Sequence, residues 1–359
     1  MAKKILITVL ILLLAIILVA AAYLAYVLID YHRLPDWQRL TVTGAPDREA
    51  RTGQEYKLLS WNVGFGAYSR DYSFFMDGGK YSRAYSEDEV RKNLTAAVDL
   101  VQEETPDLIL FQEVDLDSDR SWHVNEEDLL TDALPGYGRV GAVNYDSPYL
   151  QYPLFRPHGK SLAELLTMTS LTADSACRRS LPLEDSLMKY LDLDRCYSIT
   201  DIPVSNGRVL RLYNLHLSAY TTDGSIATRQ LEQLLTDMAQ TRSAGNYAVA
   251  GGDFNKDLLG DSSAVFGVSG DLVTWAQPVP LELIPRGIEL VAPFDPDSPV
   301  PSCRNCNIGY EPGVSFVLTV DGFLVTDNVT VTGSRVIDAG FENSDHNPVV
   351  LTFILKNDS

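Results

Sequence analysis

Hydrophobic positions along this chain follow three patterns. The first is one unbroken run from Ile5 to Ile29 that carries no charge and is mostly Ile, Leu, Val and Ala. It is longer than the roughly 20 residues a helix needs to cross a bilayer. The second pattern is a set of strand-length apolar runs, rich in β-branched and aromatic residues and bounded by turn formers: YKLLSWNV (56–63), DLILFQEV (107–114), RVLRLYNLHLS (208–218), YAVAGGDF (247–254), FLVTDNVTV (323–331) and VVLTFIL (349–355). Each predicts a β-strand. The third has helical spacing. Over 86–104, Ser86 and Glu89 stand in capping-box spacing, and Val90, Leu94, Ala97, Val98 and Val101 form one stripe. Leu231, Leu234, Leu235 and Met238 repeat it over 227–241. Strands alternating with helices predict an α/β architecture. No internal repeat is visible and no second linker follows residue 53. The expected organisation is therefore a membrane segment at 5–29, a polar, proline-bearing linker at 30–52 and one large α/β domain at 53–359.

Charge refines this picture. Lys3 and Lys4 precede the apolar run, so residues 1–4 are expected in the cytoplasm and the large domain outside the cell; Arg33 and Arg39 pull the other way. A single-pass anchor is expected, and the small residues of VAAAYLA (19–25) leave a cleaved signal peptide and a secreted protein as the alternative. Across its 359 residues the chain carries 48 acids against 29 Lys and Arg, a formal charge of −19. Such a field repels polyanions and argues against nucleic acid as a partner. Cys303 and Cys306 form a C-x-x-C with no second pair, which argues against structural zinc. Disulfides (Cys303–Cys306, Cys177–Cys196) and four unpaired thiols both remain open.

Polar residues recur where the apolar runs stop. Asn62 ends the first strand and Glu113 the second; Asn214 and His216 end the third; Asp253 and Asn255 follow Gly251-Gly252; Asp321 precedes one late strand, and Asp345 and His346 the last. Singly, each is an ordinary turn or packing residue. Together they suit hydrolysis of a phosphate ester with a divalent cation. Oxygen donors such as Glu113 and Asn62 fit Mg²⁺ or Mn²⁺. Asp321 and His346 pair as a base of fixed tautomer. Asn214, His216 and Asn255 supply donors for the charge that develops on phosphoryl oxygens. The two glycines are expected to let the backbone approach the substrate.

The order of these motifs (WNV, QE, NLH, GDFN, VDGFLV and SDHNP, from Trp61 to Pro348) resembles the endonuclease/exonuclease/phosphatase superfamily, the deoxyribonuclease-I-like fold. The resemblance implies a four-layer sandwich of two mixed β-sheets flanked by helices, an α/β fold of the α+β type, with the active site at one rim. It implies Glu113 and Asn62 as metal ligands supported by Asp345, His216 and Asn214 on the scissile phosphate, and Asn255 in contact with that phosphate. Asp253 would orient or deprotonate the attacking water, and Asp321 would pair with His346. The residues alone make His346 the base; the resemblance shares that role with Asp253. Gly64 departs from the pattern, since many nuclease members place an acid two residues after the first Asn.

The stretch 144–170 also departs from the nuclease members and is expected at the rim, where Tyr145, Tyr149, His158 and Lys160 would line a pocket for a phosphate-bearing head group. Arg178 and Arg179 read as a solvated pair, with a phosphate clamp as the alternative. The expected function is a membrane-anchored, extracytoplasmic, Mg²⁺-dependent phosphodiesterase or phosphatase, monomeric, acting on a small phosphoester or lipid head group. An extracellular nuclease of the same fold and a catalytically inactive binding scaffold are the alternatives.

Overall fold

The apolar runs fold into two β-sheets stacked face to face, each covered on its outer side by a helix. The structure is a computed structural model describing residues 1–357 apart from 45, 185–188, 190–193, 220–224 and 270–274. Its strands are β1 (Gln38–Leu40), β2 (Glu55–Asn62), β3 (Leu108–Asp115), β4 (Gly138–Asp146), β5 (Leu162–Thr169), β6 (Ser175–Ser180), β7 (Cys196–Pro203), β8 (Val209–His216), β9 (Tyr247–Asp253), β10 (Ile288–Val291), β11 (Cys303–Arg304), β12 (Val317–Leu318), β13 (Asp321–Thr326), β14 (Val329–Val336) and β15 (Val349–Leu355). The helices are α1 (Ala2–Asp30), α2 (Glu87–Glu104), α3 (Glu126–Ala133), α4 (Ser225–Ser243) and α5 (Ser262–Phe266).

One sheet has the order β14-β15-β2-β3-β5-β4 and the other β1-β6-β7-β8-β9-β13-β10, with β11 and β12 forming a separate ribbon. Each large sheet is antiparallel except for one central pair, β2–β3 in the first and β8–β9 in the second. A parallel pair needs a crossover, and the two amphipathic segments supply them: α2 joins β2 to β3 and α4 joins β8 to β9. Ser86 caps α2 by accepting from the Glu89 N–H at 3.2 Å, while the Glu89 carboxylate turns away to Ser69 and Lys92.

The period-2 alternation of the strands sorts their side chains between layers. Leu58, Leu108, Leu110, Leu210, Leu212, Tyr247 and Val249 face inward and pack between the sheets. Leu59, Trp61, Ile109 and Phe111 face outward onto the α2 stripe, and Tyr213, Leu215, Ala248 and Ala250 onto the α4 stripe. Along the inward rows, apolar residues give way to Ser60, Asn62, Gln112, Asn214, His216 and Asp253 toward the strand ends, all of them buried. The interior is therefore oily at one end and polar at the other.

Several expectations change. The run 323–331 is two strands: β13 ends at Thr326, the chain turns through Asp327 and Asn328, and β14 enters the opposite sheet. The stretch 144–170 begins and ends in strand, at 144–146 and 162–169, with 147–161 forming the loop between β4 and β5. Part of the stretch read as a linker pairs with the body, β1 lying antiparallel to β6. The four cysteines are unpaired thiols. Cys177 lies opposite Ile199 and Cys196 opposite Ser180, so the ladder keeps those two apart. Arg178 and Arg179 are neither a solvated pair nor a clamp. Arg178 is fully buried and donates to the carbonyls of Val143 and Asp194; Arg179 joins Asp36 and Asp237. Finally, α1 is long and apolar enough to cross a membrane, and of its side chains only Val27 is buried against the body.

Candidate active site

The C-terminal ends of the two parallel pairs meet at one rim, and the polar residues gather there. In the β8–β9 ladder His216 lies opposite Asp253, and in the β9–β13 ladder Asp253 lies opposite Asp321. The segment before β15 is drawn to the same place by two anchors on β2. Trp61 Nε1 donates to the His346 carbonyl at 2.8 Å, and Ser344 Oγ donates to the Asn62 carbonyl at 2.7 Å. Glu113 reaches the rim through a bulge: the β3–β5 register shifts between Phe111 and Val114, and Glu113 itself takes φ 56°. A non-glycine residue in that region is strained and persists where its surroundings over-determine it.

Distances then define one cluster. Asn62 Nδ2 donates to Glu113 Oε1 at 3.3 Å and to Asp253 Oδ2 at 3.1 Å. His216 Nε2 stands 3.4 Å from Asp253 Oδ2 and 4.0 Å from Glu113 Oε1. His346 Nε2 stands 3.8 Å from Asp253 Oδ2, while its Nδ1 meets Asp321 Oδ2 at 2.8 Å. Asp321 Oδ2 also accepts from Ser302 Oγ at 2.7 Å, which fixes the imidazole partner. Of these, Glu113, His216, Asp253 and His346 line a cavity of about 140 Å³ together with Phe65, Tyr68, Arg120, Asn144, Asn255 and Asp345, while Asn62 and Asp321 hold them from behind.

Burial and neighbours divide the titratable groups. Burial disfavours the charged form of His216, and the positive charges of Arg195, His346 and Arg120 add to it, holding that imidazole well below its usual range and neutral. Burial acts the same way on His346, but Asp321 outweighs it and holds His346 well above its usual range, as an imidazolium. Burial raises the Asp253 carboxyl to about 7, with Asp321 reinforcing and His346 opposing. Burial also raises Asp345. The site thus offers a held proton at His346, an acceptor at Asp253 and a neutral donor or acceptor at His216.

Not every expected residue arrives. Asn214 does not reach the cavity: its Nδ2 donates to the carbonyls of Phe111 at 3.1 Å and Leu166 at 3.2 Å, and its Oδ1 accepts from Gln112 Nε2 at 2.8 Å. It fastens one sheet to the other beneath the site, which leaves it no atom for a phosphate. Asn62 presents its amide nitrogen to the carboxylates, because its Oδ1 accepts from Gly64 N–H at 3.0 Å; the expected metal-ligand oxygen is occupied. Tyr145 and His158 line the cavity, but Tyr149 and Lys160 do not. His158 Nδ1 donates to the Ser82 carbonyl at 2.8 Å, and burial, then Arg120, lowers it to about 3. The glycines serve packing rather than substrate approach. A Cβ on Gly252 (φ 144°) would lie 2.0 Å from the Leu215 carbonyl oxygen, and one on Gly251 would meet Phe323 at 2.8 Å. Gly64 is closed to an acid, since a Cβ there would sit 2.5 Å from the Tyr68 ring and 3.0 Å from Asp345 Oδ1.

Other residues at the site were not anticipated. Arg120 is bound to Asp115 at 2.8 Å, lies 3.8 Å from Glu113 and sits over the Phe65 ring. Its one sequence signal is a lone cation inside the acidic run DLDSDR (115–120). Arg304 lines the cavity and donates to the carbonyls of Ser69, Tyr72 and Ile308. The Cys303 thiol lies 3.5 Å from His346 Nε2 and the Cys306 thiol 3.5 Å from Asp345 Oδ2, so the C-x-x-C borders the site.

The donor set fits a hard divalent cation. The carboxylates of Glu113, Asp253 and Asp345 line the cavity, and an oxygen of Asp321 lies within 4.8 Å of one of Asp253. The buried Asp321 Oδ1 and His216 Nδ1 have no hydrogen-bond partner among the described residues. Oxygen-rich sites of this kind suit Mg²⁺ or Mn²⁺.

The chain thus combines an α/β sandwich with carboxylates and imidazoles gathered at the ends of two parallel pairs. The chain belongs to the endonuclease/exonuclease/phosphatase family, whose sequence profile matches residues 59–346 and whose members hydrolyse phosphoester bonds. No curated protein matches the sequence at a significant level. Among solved structures, it is similar to an endonuclease/exonuclease/phosphatase from Beutenbergia cavernae (TM-score 0.58, 16% identity, 85% of this chain and 72% of that one). It is also similar to ANGEL2, a 2',3'-cyclic phosphatase, in complex with adenosine-2',3'-vanadate (TM-score 0.57, 15% identity, 89% and 99%). A third is D. rerio TDP2 complexed with a single-strand DNA product (TM-score 0.52, 14% identity, 84% and 99%). At these identities the likeness is one of fold.

Proposed function

We propose that the chain is a membrane-anchored, Mg²⁺-dependent phosphoesterase whose domain, residues 53–359, hydrolyses a small phosphoester or lipid head group outside the cytoplasm. The observation that carries this reading is the cluster Asn62–Glu113–Asp253–His216 closed by the Asp321–His346 pair. Glu113, supported by Asp345, is the group that would hold the cation, which when bound would neutralise charge on the phosphoryl oxygens. Asn62 links Glu113 to Asp253 and sets the spacing between them. Asp253 accepts the proton of the attacking water. The imidazolium of His346, held by Asp321, donates to the leaving oxygen or to the phosphoryl group, and His216 and Asn255 orient that group. Lys3 and Lys4 before α1 support an outside domain, and the charge of −19 favours a small or lipid-borne ester over DNA.

The test is hydrolysis of bis-p-nitrophenyl phosphate by the full chain in detergent, with Mg²⁺ or with EDTA, beside plasmid DNA. Turnover is expected to need the metal and to fall roughly 10²–10⁴-fold in Glu113→Ala and in His346→Ala. Activity that survives EDTA and both substitutions would show the site to be misassigned. Efficient DNA cleavage at physiological salt would replace this substrate class with nucleic acid.

A further inference from the structure

The β4–β5 loop connects the apolar helix to the cavity. At the end of α1, Tyr23 Oη donates to the Tyr149 carbonyl at 3.0 Å and accepts from the Gln151 N–H at 3.1 Å, and Tyr26 Oη accepts from the Tyr149 N–H at 2.9 Å. Beyond these bonds the loop turns outward and ends in an apolar tip: Tyr152 is 70% exposed, Leu154 66% and Phe155 94%. The Tyr152 ring packs on Phe75 at 5.6 Å; the next residue, Met76, is itself exposed and lines the cavity. The loop then returns through His158, which also lines the cavity. Arg156 and Lys160 flank the tip and are exposed.

The position of this tip relative to a bilayer follows from α1. Counting roughly 20 residues of about 1.5 Å rise from Ile5 ends the hydrocarbon span near Leu24. Tyr23 and Tyr26 straddle that edge, where tyrosine rings settle between acyl chains and water. A loop bonded to both of them lies at the interface as well. Exposed apolar residues flanked by basic ones are the composition that such an interface takes up, the former among acyl chains and the latter on lipid phosphates.

We propose that the Tyr152–Phe155 tip enters the membrane that α1 crosses, setting the cavity mouth on the lipid surface. The substrate is then a phosphoester carried by a lipid of that same membrane, zwitterionic rather than anionic given the charge of −19. The inference rests on the phosphoesterase reading for the substrate, but not for the membrane contact.

Two measurements on the full chain in phosphatidylcholine vesicles test it. In Phe155→Trp, the emission added over the parent protein should be quenched by dibrominated phosphatidylcholine and shielded from aqueous iodide. Quenching by iodide alone, or shielding that tracks protein concentration and so reports a second copy, overturns the proposal. The double variant Leu154→Asp/Phe155→Asp should lose roughly tenfold or more of its hydrolysis of the vesicle phosphatidylcholine and retain its turnover of soluble bis-p-nitrophenyl phosphate. Equal turnover of the vesicle substrate by parent and variant also overturns it. If the parent cleaves the soluble diester but never the lipid, the substrate inference fails and the phosphoesterase reading stands. If it cleaves neither, that reading fails, and the fluorescence alone decides the membrane contact, as it does if the double variant misfolds.

Discussion

Each large sheet holds one parallel pair crossed by a helix, and each pair ends in polar side chains: Asn62 and Glu113 on β2–β3, His216 and Asp253 on β8–β9. The two ends deliver their carboxylates differently. In the first, the strand bulges and the acid itself occupies the left-handed region, at φ 56°. In the second, the ladder stays in register through Asp253, and the unusual conformation falls on its neighbour Gly252, where the Leu215 carbonyl leaves no room for a Cβ. The consequence is electrostatic. The Glu113 side chain is 25% exposed toward the cavity, whereas that of Asp253 is 2% exposed and its carboxyl is pushed up to about 7. One end presents an open carboxylate suited to a cation; the other holds a buried one suited to exchanging a proton.

The comparison can be broken at three points. Gly252→Ala carries the largest effect: the added methyl meets a backbone oxygen at 2.0 Å, and a loss of roughly 3 kcal/mol or more is expected in urea denaturation. Unchanged stability would refute the packing account of this glycine. Asn214→Leu removes the bonds that join Gln112, Phe111 and Leu166 beneath the site, with an expected cost of about 1–3 kcal/mol. Turnover of bis-p-nitrophenyl phosphate in the folded variant should stay near that of the parent. A collapse in turnover without loss of stability would return Asn214 to the phosphate. Glu113→Gly should abolish turnover yet leave stability equal or raised by up to about 1 kcal/mol, because glycine relaxes the left-handed backbone. A destabilised but otherwise folded variant would mean that Glu113 is held by favourable contacts, not against strain.

Much of the site was legible because its residues stand at the ends of patterned strands. Asn62, Glu113, His216, Asp253, Asp321 and His346 are each marked by an apolar run that stops or starts beside them. What misled was depth along a strand rather than side-chain direction. Asn214 lies two residues before His216 on the same face, but one step deeper, where only the opposite sheet can satisfy its amide. Likewise the loop residues of 144–170 divide by where the hairpin closes: Tyr145 and His158 fall at its neck, while Tyr149 is taken up by Tyr23 and Tyr26 of α1. Arg120 and Arg304 carried little signal, since a buried arginine is recognised by the carbonyls and carboxylates around it.

The sequence by itself determined six apolar runs that enter strands, two amphipathic helices, the apolar N-terminal helix and the types of polar group at the strand ends, because these depend on periodicity and short-range chemistry. Only the tertiary structure decided which sheet each strand joins, that FLVTDNVTV divides between two sheets, and that one histidine is charged and the other neutral. Those outcomes depend on neighbours far apart in the chain: Asp321 reaches His346 and Asp253 faces His216 only once the sheets have paired, and burial then sets what each group can do with a proton.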